Sequence, residues 1–412
     1  MDGSFLDPSF GARRSAVDLQ LDEVERLRMA GDYAAAFVRI ERIATAHPKN
    51  SRALNEMGVC LRLAGHPVQA AREFRKARKI DPQAAGILAN LGGCLRDLGE
   101  PLNAIKAFRK ALELRPDFVA VRAELGETYH GLGEVRQAAR CYELASELDP
   151  RSGVLLSNLA SARAELGEFE LALEDAERCF ARTPQDRRAM AVKSFALHEL
   201  GREEEAAKLL DFQWIRAFQL ISGPGHEDLA QFNRELSRHV SGHPTLQFEF
   251  ARSSTVAGEQ TDHLLSTPAG PVDTLMEWIK RCVATYLEDL PKDSEHPYLA
   301  HRPQKFEWNV WGTQLGTGGH QDHHIHPGGW VSGVYYAQLP EEITQQPTGH
   351  AGWIQFGGAP ETWPLKRQRP LLELEPQVGT VMLFPSYYYH RTLPFESTTK
   401  RISIAFDAMP IG

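Results

Sequence analysis

Six glycines, Gly31, Gly65, Gly99, Gly133, Gly167 and Gly201, stand 34 residues apart. Pro48, Pro82, Pro116, Pro150 and Pro184 keep the same interval, as do Ala36, Ala70, Ala104, Ala138, Ala172 and Ala206. Three residue types in one register restrict the first half of the chain to a repeat architecture. The interval reads as two antiparallel helices per unit. The Gly ends the first helix, where a left-handed cap costs no steric strain. The Ala sits where the two helices cross closely. The Pro stops the second helix. Phe74, Phe108 and Tyr142 recur at one position of the second helix and are expected to fill the gap to the neighbouring unit.

Composition changes near residue 212. All 7 Trp lie from Trp214 onward, whereas residues 17–210 are rich in Ala, Leu, Glu and Arg. Helices are therefore expected before that point and an aromatic-rich sheet domain after it. With Lys+Arg 46 against Asp+Glu 54, the net charge of −8 provides no dominant positive field, which argues against a nucleic-acid partner. No stretch approaches the roughly 20 apolar residues of a membrane span. The first residues lack the apolar core of a signal peptide. Five widely spaced cysteines with no CxxC pair fit a reducing compartment, so the expected location is the cytoplasm.

The helical array, with AELGETYHGLGEVRQAARCYELASELDP at 123–150, resembles tetratricopeptide repeats, about six of them over 17–215. That resemblance implies a superhelix with a concave groove for a peptide or protein, though such arrays also serve self-association. The oligomeric state is left open. Residues 1–16 are expected to form a flexible tail.

Residues 216–300 read as a connecting region packed on the second domain. Helical patterns cover about 226–241 and 271–290. The second puts Val272, Leu275, Met276, Ile279, Val283 and Leu287 on one stripe, with Cys282 in the core. Residues 247–250 read as a strand and 258–261 as strand and turn. From 301 to 412, short alternating segments appear at 305–314, 330–338, 352–357, 371–375, 379–384 and 400–407, separated by Gly and Pro. They predict a small double-stranded β-helix, or jelly roll. The fold class is thus multidomain α + β.

The densest chemistry is His320-Gln321-Asp322-His323-His324-Ile325-His326. In an unbroken strand His320, Asp322, His324 and His326 would share one face. A later buried strand leads to Tyr387-Tyr388-Tyr389-His390. Eleven residues on, Arg401, Ser403, Ala405 and Asp407 alternate with Ile402, Ile404 and Phe406. A guanidinium on such a strand is suited to gripping a carboxylate with two prongs.

The stretches HIHPGGWVSGVYY (324–336), GTVMLFPSYYYH (379–390) and RISIAF (401–406) resemble the Fe(II)/2-oxoglutarate-dependent oxygenases, specifically those fused to tetratricopeptide repeats. The resemblance implies Fe(II), 2-oxoglutarate and O2, with succinate and CO2 formed as a C–H bond is hydroxylated. It makes His390 the distal metal ligand and Arg401 the 2-oxoglutarate anchor, helped by Ser403 and Tyr336. The first two ligands are either His324 and His326, the favoured pair, or His320 and Asp322; a mixed set such as Asp322 with His324 is a further option. A polypeptide substrate recruited by the repeats is the leading expectation. Oxygenation of a small molecule, with the repeats used for assembly, and a non-catalytic metal-binding scaffold are the alternatives. Trp330 and Trp353 are expected in the core. Tyr387, Tyr388 and Tyr389 are expected to divide between barrel wall and surface. Asn309 is expected either to reach the pocket or to make a strand-edge hydrogen bond, and 341–349 forms a candidate lid.

Overall fold

The computed structural model describes residues 15–220, 228–249, 253–266, 270–345 and 349–411. Most of the expected tail, His226 and Glu227 of the expected helix, Phe250 of the expected strand, and 346–348 of the candidate lid lie outside these residues. The chain divides into two compact units, Met1–Ala162 and Arg163–Gly412. The second unit therefore includes the last repeat helices, Phe169–Phe180, Arg187–Glu199 and Glu203–Leu209, as well as the sheet. The change in composition near residue 212 marks where helices give way to strands, not where the compact units part.

Each repeat obeys the same local chemistry. The six periodic glycines have φ between +74° and +81°. In the first unit the residue after the glycine, Asp32, donates its N–H to Leu27 O at 2.9 Å, closing the helix end as a Schellman motif. The periodic alanines, from Ala36 at 0% exposed to Ala206 at 5%, are buried at the helix crossings. Phe74, Phe108 and Tyr142 lie against Gly58, Gly92 and Gly126 of the first helix of their own unit. They thus fill the space within a helix pair, a nearer target than the neighbouring unit. A Cβ on Gly92 would come within 2.6 Å of the Phe108 ring, which is 0% exposed. Gly92→Ala is thus expected to lower stability by about 1–2 kcal/mol, the overpacking cost exceeding the helix-propensity gain. Urea denaturation of the full chain measures this.

Among the described residues the second unit holds ten strands: β1 (Arg216–Gln219), β2 (Gln247–Phe248), β3 (Thr255–Gln260), β4 (Phe306–His324), β5 (Val331–Gln338), β6 (Ile354–Phe356), β7 (Leu372–Leu374), β8 (Thr380–Pro385), β9 (His390–Thr392) and β10 (Arg401–Pro410). All pair antiparallel, in the order β1-β8-β5-β10-β4-β9-β6-β7, with β3 on β4 and β2 on β3. The sheet curls as a jelly roll.

Two readings change here. Residues 258–261 were expected as a strand and turn; 258–260 complete β3, because the polar side chain of Glu259 accepts from Gln314 across the pair at 2.5 Å. The strand expected at 305–314 runs on to His324. It can do so because Gly316–Gly319 loop out of the β3 ladder, with Gly318 at φ +74°. Before this kink β4 pairs with β10; after it, with β9. One strand thus crosses from one half of the sheet to the other.

The helix expected at 271–290 spans Pro271–Asp289 and buries Val272, Leu275, Met276, Ile279, Cys282 and Val283. The other spans Leu229–Ser241, started by the Asp228 side chain accepting from Ala230 and Gln231 N–H. Trp330 is 1% exposed and stacks on Tyr298 at 4.2 Å; Trp353 is half-buried against His350. Residues Glu341–Thr344 form a short helix pinned by Ile343, which is buried with Leu315 and Phe395.

Of the three tyrosines expected to divide between wall and surface, Tyr389 is half-buried and neither Tyr387 nor Tyr388 reaches the surface. Both are buried. Their hydroxyls donate to Leu209 O at 2.7 Å and Asp211 O at 2.9 Å, at the end of the last repeat helix. The cause is visible in the donors: a buried phenol needs an acceptor, and a helix C-terminus has carbonyls to spare.

Candidate metal centre

His324 closes β4, His326 follows two residues later, and His390 opens β9. Their ligand nitrogens all lie within 4.8 Å of one another. Ring centroids are 5.0 Å apart for His324–His326, 4.3 Å for His324–His390 and 5.1 Å for His326–His390. Backbone pairing brings His324 opposite His390. His326 is placed by its own N–H donating to Ser386 O at 2.9 Å.

Each ring has its Nδ1 engaged. His324 Nδ1 is 2.6 Å from Asp322 O, His390 Nδ1 is 3.0 Å from Tyr388 O, and His326 Nδ1 is 2.9 Å from Asp407 Oδ1. Donation from Nδ1 to these oxygens leaves the three Nε2 lone pairs free to bind a metal ion. Burial pushes the His324 imidazole down to about 3 and holds His390 well below the ordinary range. Neutral imidazoles are the binding form.

His320 and Asp322 are not part of this cluster. The Asp322 side chain is 70% exposed, and its carboxylate lies 3.4 Å from His320 Nε2. The four-residue face expected for this stretch is broken by a one-residue bulge between Gln321 and His324. One extra residue reverses which face later side chains occupy. His323, beside the bulge, packs its ring against Gly358 instead.

A second feature lies on the inner face of β10. Arg401 is 2% exposed. Its Nη1 lies 3.4 Å from Ser403 Oγ, and its guanidinium carbon lies 5.1 Å from the Tyr336 ring centre. Ser403 pairs in register with Thr313 on one side and Tyr336 on the other. Arg401 Nε, Tyr336 OH and Thr313 Oγ1 are all buried without a hydrogen-bond partner. Among the described residues Arg401 has no carboxylate partner. Burial pulls its guanidinium below the ordinary arginine range and pushes the Tyr336 phenol up. A buried guanidinium with orphaned donors is costly unless an anion joins it.

Farther along the same face, Trp311 stacks on His326 at 5.5 Å and Asn309 sits opposite Asp407 in register. Motif spacing alone gave no role to Asp407, Ser332 or Trp311. The signal was present for Asp407, whose period-two alternation puts it on the Arg401 face.

The curled antiparallel sheet carries a histidine triad and a buried arginine that has no carboxylate partner among the described residues. Residues 309–407 match the family model described as "Putative 2OG-Fe(II) oxygenase". Residues 95–162, and 21–85 with 64–117, match tetratricopeptide repeat models. The chain thus joins tetratricopeptide repeats to a 2-oxoglutarate/Fe(II) oxygenase domain. Similar solved structures include pilF of Pseudomonas aeruginosa (20% identity, 47% of this chain and 88% of that one, TM-score 0.44). PilW is 19% identical over 48% of this chain and 91% of its own, with TM-score 0.43. MamA is 22% identical over 40% and 91%, with TM-score 0.36. Comparison with curated proteins gives no match. No helix among the described residues is long and apolar enough to cross a membrane.

Proposed function

We propose that this chain is an Fe(II)/2-oxoglutarate-dependent dioxygenase that hydroxylates a peptide or protein recruited by its repeats. The observation that carries the reading is the pairing of three Nδ1-anchored imidazoles with an unpaired buried guanidinium on one sheet. His324, His326 and His390 hold the metal through Nε2. Imidazole donors suit iron. Bound Fe(II), with 2-oxoglutarate and O2, supplies the oxidising chemistry that yields succinate, CO2 and a hydroxylated C–H bond.

The protein's own groups supply position. Arg401 takes the distal carboxylate of 2-oxoglutarate, with the Ser403, Tyr336 and Thr313 hydroxyls as further donors. Leu315, Val334 and Met382, all buried, wall this end from water. Repeats of this kind bind peptides or proteins, which supports a polypeptide as the species modified.

Anaerobic addition of Fe(II) and then 2-oxoglutarate is expected to develop a weak visible charge-transfer band. Alanine variants at His324, His326 and His390 lose it, and Asp322→Ala keeps it. No band despite stoichiometric iron would overturn the reading. The polypeptide substrate is tested separately, by the gain of one oxygen in a peptide library. Turnover of 2-oxoglutarate with no peptide modified would favour a small molecule.

A further inference from the structure

We propose that Asp407 is a charge-bearing positioning residue of the metal centre, acting through His326. The inference rests on the metal-centre reading above. The Nδ1 atoms of His324 and His390 meet backbone carbonyls, which are neutral. His326 alone meets an anion: its Nδ1 lies 2.9 Å from Asp407 Oδ1 and 3.1 Å from Oδ2.

The carboxylate is built into place. Asp407 is 8% exposed, and its Oδ1 accepts from Ser332 Oγ at 2.6 Å. Ser332 Oγ in turn lies 2.8 Å from Ser386 Oγ, and Ser386 O accepts the backbone N–H of His326. One short network therefore fixes both the ring and the backbone of this ligand. Trp311 covers the ring's face. Among the described residues Asp407 has no lysine or arginine partner. A buried carboxylate without a cation is unfavourable, and a divalent ion bound through His326 would offset that cost.

The arrangement answers a difficulty of the ligand set. Non-haem iron sites of the two-histidine, one-carboxylate type carry one negative charge in the coordination sphere. Three neutral imidazoles carry none. Asp407 restores one unit of negative charge from just outside, passed through the polarised imidazole of His326. The inner face of β10 then holds a cation site at its Asp407 end and an anion site at its Arg401 end, six residues apart on one strand.

The test uses the full chain with Co(II) as a metal probe and with bound iron for electrochemistry. Asp407→Asn keeps the shape of the side chain and removes the charge. It is expected to weaken Co(II) binding about 10- to 100-fold and to raise the Fe(III)/Fe(II) midpoint potential, with the apoprotein's circular dichroism unchanged. Asp407→Glu should return the potential towards wild type. Ser332→Ala, which loosens the brace and keeps the charge, should lower affinity with little change in potential. Wild-type affinity and potential in Asp407→Asn would overturn the proposal. So would an affinity loss with no change in potential, since a structural role alone produces that. His324→Ala and His390→Ala serve as the control for the underlying reading. If those variants bind Co(II) as wild type does, the metal-centre reading fails, whatever Asp407 does.

Discussion

Arg401→Ala is expected to leave metal binding intact and to weaken 2-oxoglutarate binding by roughly 30- to 5,000-fold. That range corresponds to about 2–5 kcal/mol, the cost of removing one partner from a buried charge pair. The guanidinium is 2% exposed, so water does not replace it cheaply. Its Nε has no partner, and the neighbouring Tyr336 and Thr313 hydroxyls are in the same condition. The loss should therefore be selective for the distal carboxylate. 2-Oxobutyrate, which keeps the oxo acid end but lacks that carboxylate, should bind wild type and variant alike. Calorimetric titration of the metal-loaded protein with both acids decides the matter. If 2-oxobutyrate lost as much affinity as 2-oxoglutarate, Arg401 would be shaping the cavity instead of reading the carboxylate. A collapse of metal affinity would remove its assigned role altogether. Tyr336→Phe should show the same selectivity on a smaller scale, since one neutral hydrogen bond is worth about 1 kcal/mol.

The repeats were legible in the sequence because a period of 34 repeats one local solution six times. A glycine at φ near +76° and a buried alanine at the crossing are needs of the backbone itself, and few residues meet them. The placement of Ser403 on the Arg401 face was legible for a similar reason: period-two alternation on β10 is regular from Arg401 to Phe406. The histidine stretch was harder. Alternation put His320 and Asp322 beside His324, and a single extra residue in the ladder separated them. A bulge costs little locally and depends on which strand lies alongside, so spacing on one strand cannot announce it. The roles of Tyr387 and Tyr388 were hidden for a different reason. Their acceptors, Leu209 O and Asp211 O, lie far back in the sequence, and backbone carbonyls leave no mark on residue type.

Those two tyrosines bear on where the chain can be cut. A chain starting at Gly153, which keeps the helix spanning the boundary between the units, is expected to fold cooperatively and bind metal as the full chain does. A chain starting at Asp211 is not expected to fold. The difference is what the last repeat helices do inside the second unit. Phe195 meets Trp363 and Tyr389 at ring distances of 5.1 and 5.4 Å, and the Arg369 guanidinium lies 3.7 Å from its ring centre. Glu199 accepts the backbone N–H groups of Lys366 and Arg367 at 2.9 and 3.2 Å. His296 Nε2 lies 2.9 Å from Lys208 O. Removing the helices strips the Tyr387 hydroxyl of its acceptor, at about 1–3 kcal/mol for an unpaired buried group. Losing the buried Phe195 contacts adds about 3–5 kcal/mol. The sum approaches the whole stability of a typical domain, about 5–15 kcal/mol. Thermal unfolding by circular dichroism, with Co(II) titration of each truncated chain, measures both outcomes. Tyr387–Tyr389 lead straight into His390, so loss of the helices should disturb that ligand first. Equal stability and metal affinity in the two truncated chains would mean that the helices are appended to the sheet without supporting it.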